Sequence, residues 1–426
     1  MRLWMLGLFA VSSACAAPSY VDLRTVLRLA GADADQLELA KRKHAEALVE
    51  SEQVWQRYWP SVNLGALYRG HEGRLQDVRG AVFDVSKQQY FTGAGVVVDW
   101  APGDIYFAAL AAKQRAVAAG HVVEQVRLDR VRDAADRYYE LLGAEALLAV
   151  VADDLSVTEK YAVQLEGAVE VGTAFRGDLL RIRTQLSRLR LQIRQNVENT
   201  EVSAARLAET LRLGSDVALR AAKSDLVPVR LVGEEKTEAL LAQAYAHRPE
   251  LKSLAAATEA VRREEERVRI GQWYPSVQMG YSSGGFGGGQ GGYGNQQDFY
   301  AGLGWKLGPG GLFDSKRTKA NALRREETEF QLKKAAALVG REVVEMAAHA
   351  RSAQEQIKIA EEAVASAREL ASLSGKRQAS QVGVVLEYVL AVEELTRAKI
   401  ARVRAVVDYN RAQHLLQAAL GGPQGK

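Results

Sequence analysis

"RYWPSVNLGA" at residues 57–66 and "QWYPSVQMGY" at residues 272–281 say nearly the same thing at two places in one chain. Each sets two aromatic residues, a proline and Ser-Val ahead of alternating apolar and polar residues. This is how a strand begins: proline has no N–H to give a ladder, so it stands at or just before the first paired residue. The copies extend both ways. Upstream, "DQLELAKRKHAEA" (35–47) parallels "PELKSLAAATEAV" (249–261), with Leu37 and Leu251 in register. Downstream, Trp100 and Trp305 each close an alternating segment, and a proline-glycine turn and a long helical pattern follow each. "GDLLRIRTQLSRL" (177–189) then matches "LEYVLAVEELTRA" (386–398), and the copies end on Leu213-Gly214 and Leu420-Gly421. A period of roughly 200 residues is too long for a solenoid and points to two structural repeats in one fold. The expected division is a first repeat over 17–214, a linker over 215–235, a second repeat over 236–422 and a tail over 423–426.

The chain has 426 residues, 47% of them hydrophobic, enough for a substantial core. Its 56 basic and 52 acidic residues leave a formal net charge of +4. That near balance gives no electrostatic case for a nucleic-acid partner. Residues 1–16 have the layout of a signal peptide: Arg2, a short apolar run from Leu3 to Val11, then small residues. Cleavage after Ala16 removes Cys15, the one cysteine. A lipoprotein reading would instead make Cys15 the first, lipid-bearing residue, but Ser12 stands where such signals usually carry Leu. No stretch approaches the ~20 apolar residues of a spanning helix.

Each repeat carries two alternating segments. Tyr90 to Trp100 and Phe299 to Leu307 each show an apolar face. Val62, Leu64, Ala66 and Tyr68 form another, and Val277, Met279 and Tyr281 a fourth. Segments of ~9–11 residues suit strands that cross a bilayer. Tyr68, Tyr90, Trp100, Tyr281, Phe299 and Trp305 are the candidate aromatic girdle at the membrane interfaces. The glycine-rich stretch 282–297 and its charged counterpart 69–89 are expected to be loops. Four strands do not close a barrel, and open edges are not tolerated in lipid, so closure would need several chains.

From about Phe107 to Gly172 and from about Phe313 to Gly375 no proline interrupts a helical pattern. Either would reach on the order of 90–100 Å as one helix. Val343, Met346, Ala350, Ala353, Ile357, Ala360, Val364, Ala367 and Ala371 alternate spacings of three and four, a coiled-coil seam. Leu179, Ile182, Leu186, Leu189 and Ile193 repeat it in the first return helix. Ala391, Leu395, Ala398, Ala405, Tyr409, Ala412, Leu416 and Ala419 do so in the second, with Arg402 interrupting. Gly167, Gly172 and Gly177, and in the second repeat Gly375 and Gly383, are expected to turn the chain between paired helices.

Signal peptide, duplication, strand pairs and long helices together resemble the outer-membrane efflux protein family, the TolC-like channels. The words that carry the resemblance are "HRPEL" (247–251), "YPSV" (274–277), "GGLFDSKRTKANA" (310–322) and "DYNRAQHLLQAALG" (408–421). The family's usual Trp-Pro-Leu-Phe-Asp-Gly-Gly order is scrambled in both copies. The resemblance implies an α+β membrane protein: long antiparallel coiled-coil helices, and four strands per chain that close as a trimeric twelve-stranded β-barrel above a periplasmic α-helical tunnel. It also implies an outer-membrane location in a Gram-negative bacterium, lipid around the barrel, and a periplasmic adaptor and inner-membrane pump as partners of the homotrimer. The implied function is passive conduction in a tripartite efflux or type I secretion system. Family members narrow the tunnel at the helix tips with carboxylates. The matching position is Glu387, with Leu390 where a second acid is common. Asp178 is the counterpart in the first repeat, and Arg176 lies close enough in sequence to pair with it. The alternative from the residues alone is a periplasmic coiled-coil scaffold or adaptor without a barrel.

No enzyme is expected. The six histidines show no ligand spacing, no Gly-x-Ser-x-Gly motif appears, and no cofactor or metal site is indicated. The cargo is not legible.

Overall fold

The structure, a computed structural model, describes residues 19–31, 35–214, 217–222, 226–233, 235–288, 291–380 and 385–422. The expected signal peptide with Cys15, the turn glycine Gly383 and the tail at 423–426 lie outside the described residues. The chain runs β1 (Ser19–Val21), α1 (Leu23–Ala30), α2 (Asp35–Gln56), β2 (Ser61–Gln76), β3 (Val82–Trp100), α3 (Pro102–Glu170) and α4 (Arg176–Thr210). It continues with β4 (Leu219–Ala221), α5 (Thr237–His247), α6 (Pro249–Arg269), β5 (Ser276–Gly288), β6 (Gly291–Gly304), α7 (Ser315–Ala379) and α8 (Val385–Ala419). The order helix, hairpin, long helix, return helix therefore occurs twice. Two compact units interleave along the chain, one of 39–123 and 249–336, the other of 1–38, 124–248 and 337–426.

The first of these units holds a four-stranded antiparallel sheet in the order β2-β3-β5-β6. Its strands are 16, 19, 13 and 14 residues long, beyond the expected length. Two expected loops are strand instead. Residues 69–76 pair with 82–89 in a continuous ladder, leaving a hairpin loop of 77–81 only. In the glycine-rich stretch, 282–288 belong to β5 and 291–297 to β6. Glycine hides a strand because it presents no side chain to alternate, while its N–H and C=O still fill the ladder. At the other end β6 stops at Gly304, short of the expected Leu307.

In the second unit the long helices pair along the expected seams. Val343, Ala350, Ala353, Ile357, Ala360, Val364 and Ala367 of α7 are buried, as are Leu179, Ile182, Leu186 and Leu189 of α4. Ala391, Ala398, Ala405, Tyr409, Ala412, Leu416 and Ala419 of α8 are buried too, so small seam residues admit close approach. Arg402 points to solvent and pairs with Glu361 at 3.6 Å. The helix ends differ from expectation. Gly167, Gly177 and Gly375 lie inside α3, α4 and α7, and Gly172 alone of the first three turns the chain, at φ +81°. One left-handed residue with open space around it suffices to reverse the path.

A small parallel sheet, β1 beside β4, lies against Val26, Tyr138, Tyr139, Leu142 and Leu207 in the core of this unit. Nearby, two polar side chains of the "DYNRAQHLLQAALG" word are buried and used. Asn410 accepts from Val229 N–H at 2.8 Å and donates to the Val227 carbonyl at 2.9 Å. Gln413 accepts from the N–H groups of Leu231 and Val232 at 3.0 and 2.9 Å. These bonds satisfy the linker backbone where no strand or helix does so. In "HRPEL", Arg248 donates to the Ala418 carbonyl at 3.3 Å and pairs with Glu342. It thereby ties α5 to the last turn of α8, where a cation meets the negative end of the helix.

Candidate functional site

The duplicated "PSV" words build the base of the sheet, and the same two bonds occur in both copies. Ser61 Oγ donates across the hairpin to the Val97 carbonyl at 3.2 Å, and Ser276 Oγ to the Gly304 carbonyl at 3.1 Å. The Trp100 indole donates to the Tyr58 carbonyl at 2.7 Å, and the Trp305 indole to the Trp273 carbonyl at 3.1 Å. Each tryptophan thus clamps the end of its hairpin to the residue two before the proline. This is the physical content of the repeated words.

The register sorts the sheet into two faces. Val62, Val96, Tyr281 and Phe299 form one cross-strand row, and Trp100, Val277 and Leu303 another on the same face. Leu64 is 81% exposed, Phe299 73% and Leu303 64%. An uncovered apolar face this continuous marks a surface that meets something other than water. The opposite face is small and polar: Asn63, Gly65, Gly93, Gly95, Ser282 and Asp298 are among its members.

The sheet curls toward that second face. Gly93 and Gly284 stand directly opposite each other. A Cβ on Gly93 would lie 2.8 Å from Gly284 Cα, and one on Gly284 2.6 Å from Gly93 Cα. In an evenly pleated pair, opposed Cα atoms alone are ~4.5–5.5 Å apart, so the backbone is creased here and only glycine fits. The glycine-lined face is concave and the apolar face convex.

Of the expected girdle residues, Tyr68, Tyr90, Trp100, Tyr281 and Phe299 all fall on the convex face by register. Trp305 stands one residue past the end of β6. They occupy three levels rather than two. Trp100 lies at the base, Tyr281 pairs with Phe299 at the level of Val96, and Tyr68 pairs with Tyr90 near the far end, rings 5.1 Å apart. From Trp100 to Tyr90 is ~33 Å of strand, which at the ~40° tilt of barrel strands projects to ~25 Å, the height of an apolar membrane band.

At the tips of the paired helices, Glu387 in the first turn of α8 pairs with Arg377 of α7 at 2.8 Å. Arg176 and Asp178 form no ion pair among the described residues. They stand two apart on α4, and side chains at that spacing point to different sides of a helix. Leu390 is exposed. Sequence reasoning missed the aromatic cluster beside them. Tyr161 of α3 meets Tyr388 of α8 at 4.9 Å between ring centres and accepts a 2.5 Å bond from the Gln378 amide. Burial, then Tyr388 and Asp178, pushes the Tyr161 hydroxyl up to about 12, so it stays a neutral phenol.

Among the described residues no helix is long and apolar enough to cross a membrane, and no cluster of three ligating side chains is set to hold a metal.

Residues 240–422 match the sequence profile of the family described as outer membrane efflux protein. No curated protein sequence matches the chain. Among solved structures, the outer-membrane channel OprN is 17% identical with a TM-score of 0.78, covering 94% of this chain and 90% of its own. The outer membrane protein VceC of Vibrio cholerae is 18% identical with a TM-score of 0.77, covering 94% and 96%. The open state of the MtrE outer membrane channel of Neisseria gonorrhoeae is 16% identical with a TM-score of 0.75, covering 94% and 89%. The fold, helices and strands alike, is that of these channels.

Proposed function

We propose, from the premise that this chain is of the outer membrane efflux protein family, that it is the outer-membrane channel of a tripartite efflux or type I secretion system. It conducts substrate passively from the periplasm to the exterior. The observation that carries this reading is the creased sheet: apolar and uncovered on its convex face, small and polar on its concave face, with β2 and β6 left as open edges. Such a sheet is one sector of a wall. Four strands from each of three copies, β6 of one against β2 of the next, would close a twelve-stranded barrel and leave no edge in lipid.

In this reading residues 17–214 and 236–422 are two copies of one structural repeat joined by the linker 215–235. The barrel lies in the outer membrane of a Gram-negative cell, and the long helices form a periplasmic tunnel. A periplasmic adaptor and an inner-membrane pump supply the energy that the duct itself lacks. Glu387 and Asp178, with Arg176 nearby, line the closing tips, and Arg377 holds Glu387 in the closed form. With Leu390 in place of a second acid, the constriction carries less negative charge than a doubled carboxylate would.

Cell fractionation tests the reading. The protein is expected with the outer membrane, soluble only in detergent, and migrating as an oligomer that boiling dissociates. A single chain extracted without detergent and without affinity for bilayers would overturn it in favour of a periplasmic scaffold.

A further inference from the structure

The concave face is small and polar around the crease, with an apolar belt beside it and a second apolar pair, Leu75 opposite Phe83, at the hairpin end. Leu67, Phe91 and Phe286 stand in a single cross-strand row on β2, β3 and β5. The Phe91 ring lies back over the glycine crease, where a Cβ on Gly93 would come within 2.9 Å of its tip. The belt therefore faces the inside of the curve, with Leu67 56% exposed. Basic residues follow immediately on the hairpin side of the same face. Arg69 is one step beyond Leu67 in the alternation, and His71 pairs across the strands with Lys87. None of the three has a carboxylate partner among the described residues. The acids of this face, Asp298 beside Ser282 and Gly95 and Asp99 opposite Gln278, sit on the other side of the crease.

We propose that Leu67, Phe91 and Phe286 with Arg69 and Lys87 form a contact site for amphiphilic organic anions, aromatic body on the belt and anionic group on the basic residues. The inference rests on the channel reading, in which each copy contributes the same set to the bore. Arg69 is ~7 Å along the strand from the belt, the reach of an aryl group and its acid, whereas the Asp298 level is about twice as far. An unpaired guanidinium takes a carboxylate or sulfonate in a two-pronged hydrogen-bonded pair. The aromatic faces meanwhile cover the apolar body.

The experiment uses the full-length channel in planar bilayers, with naphthalene sulfonate added to each chamber in turn and block of the ion current read against concentration. Aryl trimethylammonium of similar size serves as the cationic counterpart. The sulfonate is expected to block better than the cation. Phe91→Ala and Phe286→Ala should each weaken its block by about tenfold, the ratio for ~1.4 kcal/mol of lost contact. Arg69→Gln, an exposed change that leaves the sheet intact, should weaken it severalfold and narrow the preference for the anion. Channels blocked equally by both ions, or unchanged in all three variants, would overturn the site alone. A preparation that forms no channels would overturn the barrel and the site with it.

Discussion

Neutralising Glu387 is the most direct way to ask whether the helix tips are a gate. In the structure its carboxylate accepts from Arg377 Nη1 at 2.8 Å, with the two side chains 57% and 38% exposed for Arg377 and Glu387. An exposed pair of this kind holds with about 0.2–1 kcal/mol, because water screens it and two long side chains must be ordered. In the proposed trimer three pairs would be released together, ~0.6–3 kcal/mol in favour of opening, or a shift of about 3- to 150-fold in the opening equilibrium. Glu387→Gln should therefore raise the open fraction in single-channel recordings within that range and lower the preference for cations, since a ring of carboxylates is lost from the mouth. Arg377→Gln should loosen the tips by a similar factor but move selectivity the other way. The double variant should open no more readily than either single one. Unchanged open fraction and selectivity in Glu387→Gln would refute the reasoning. So would a double variant whose opening is the product of the two singles, because the residues would then not act as a pair.

Two further outcomes follow from the packing. A side chain at Gly93 has no room against the Gly284 backbone, so Gly93→Val should flatten or break the crease. The yield of boiling-sensitive oligomer should fall severalfold while circular dichroism keeps its helical signal; normal assembly would contradict the account of curvature. His414, packed beside Tyr139, has its pKa lowered by burial to about 4. The unfolded chain takes up the proton first as pH falls, so stability is full above pH ~6.5 and is lost between there and ~4, to a limit of ~3 kcal/mol. His414→Phe should remove that part of the acid sensitivity in thermal melts taken at pH 7 and pH 4.5. An identical pH dependence in wild type and variant would count against it.

What the sequence discloses and what it hides divide along one physical line, the range over which a residue's partner is chosen. The helical seam was legible because burial recurs every three or four residues, and Ala350 to Ala367 keep that spacing without help from elsewhere. The strand beginnings were legible because proline and the following serine act within one hairpin. Strand length was not legible. Past the apolar rows the ladder continues through charged pairs such as Arg74 opposite Asp84, and through glycine, neither of which alternates visibly. At the tips, sequence proximity offered Arg176 as a partner for Asp178, but two positions along a helix is the wrong angular step, whereas Arg377 reaches Glu387 across the turn. Asn410 and Gln413 were the least legible of all. On a helix repeat they read as tolerated polar positions, yet each is buried and hydrogen-bonded to backbone some 180 residues away. Leaving those backbone groups unpaired costs about 1–3 kcal/mol apiece. A polar residue on an otherwise apolar seam is therefore best read as a demand for a distant partner, and here the partner is the stretch of chain that joins the two repeats.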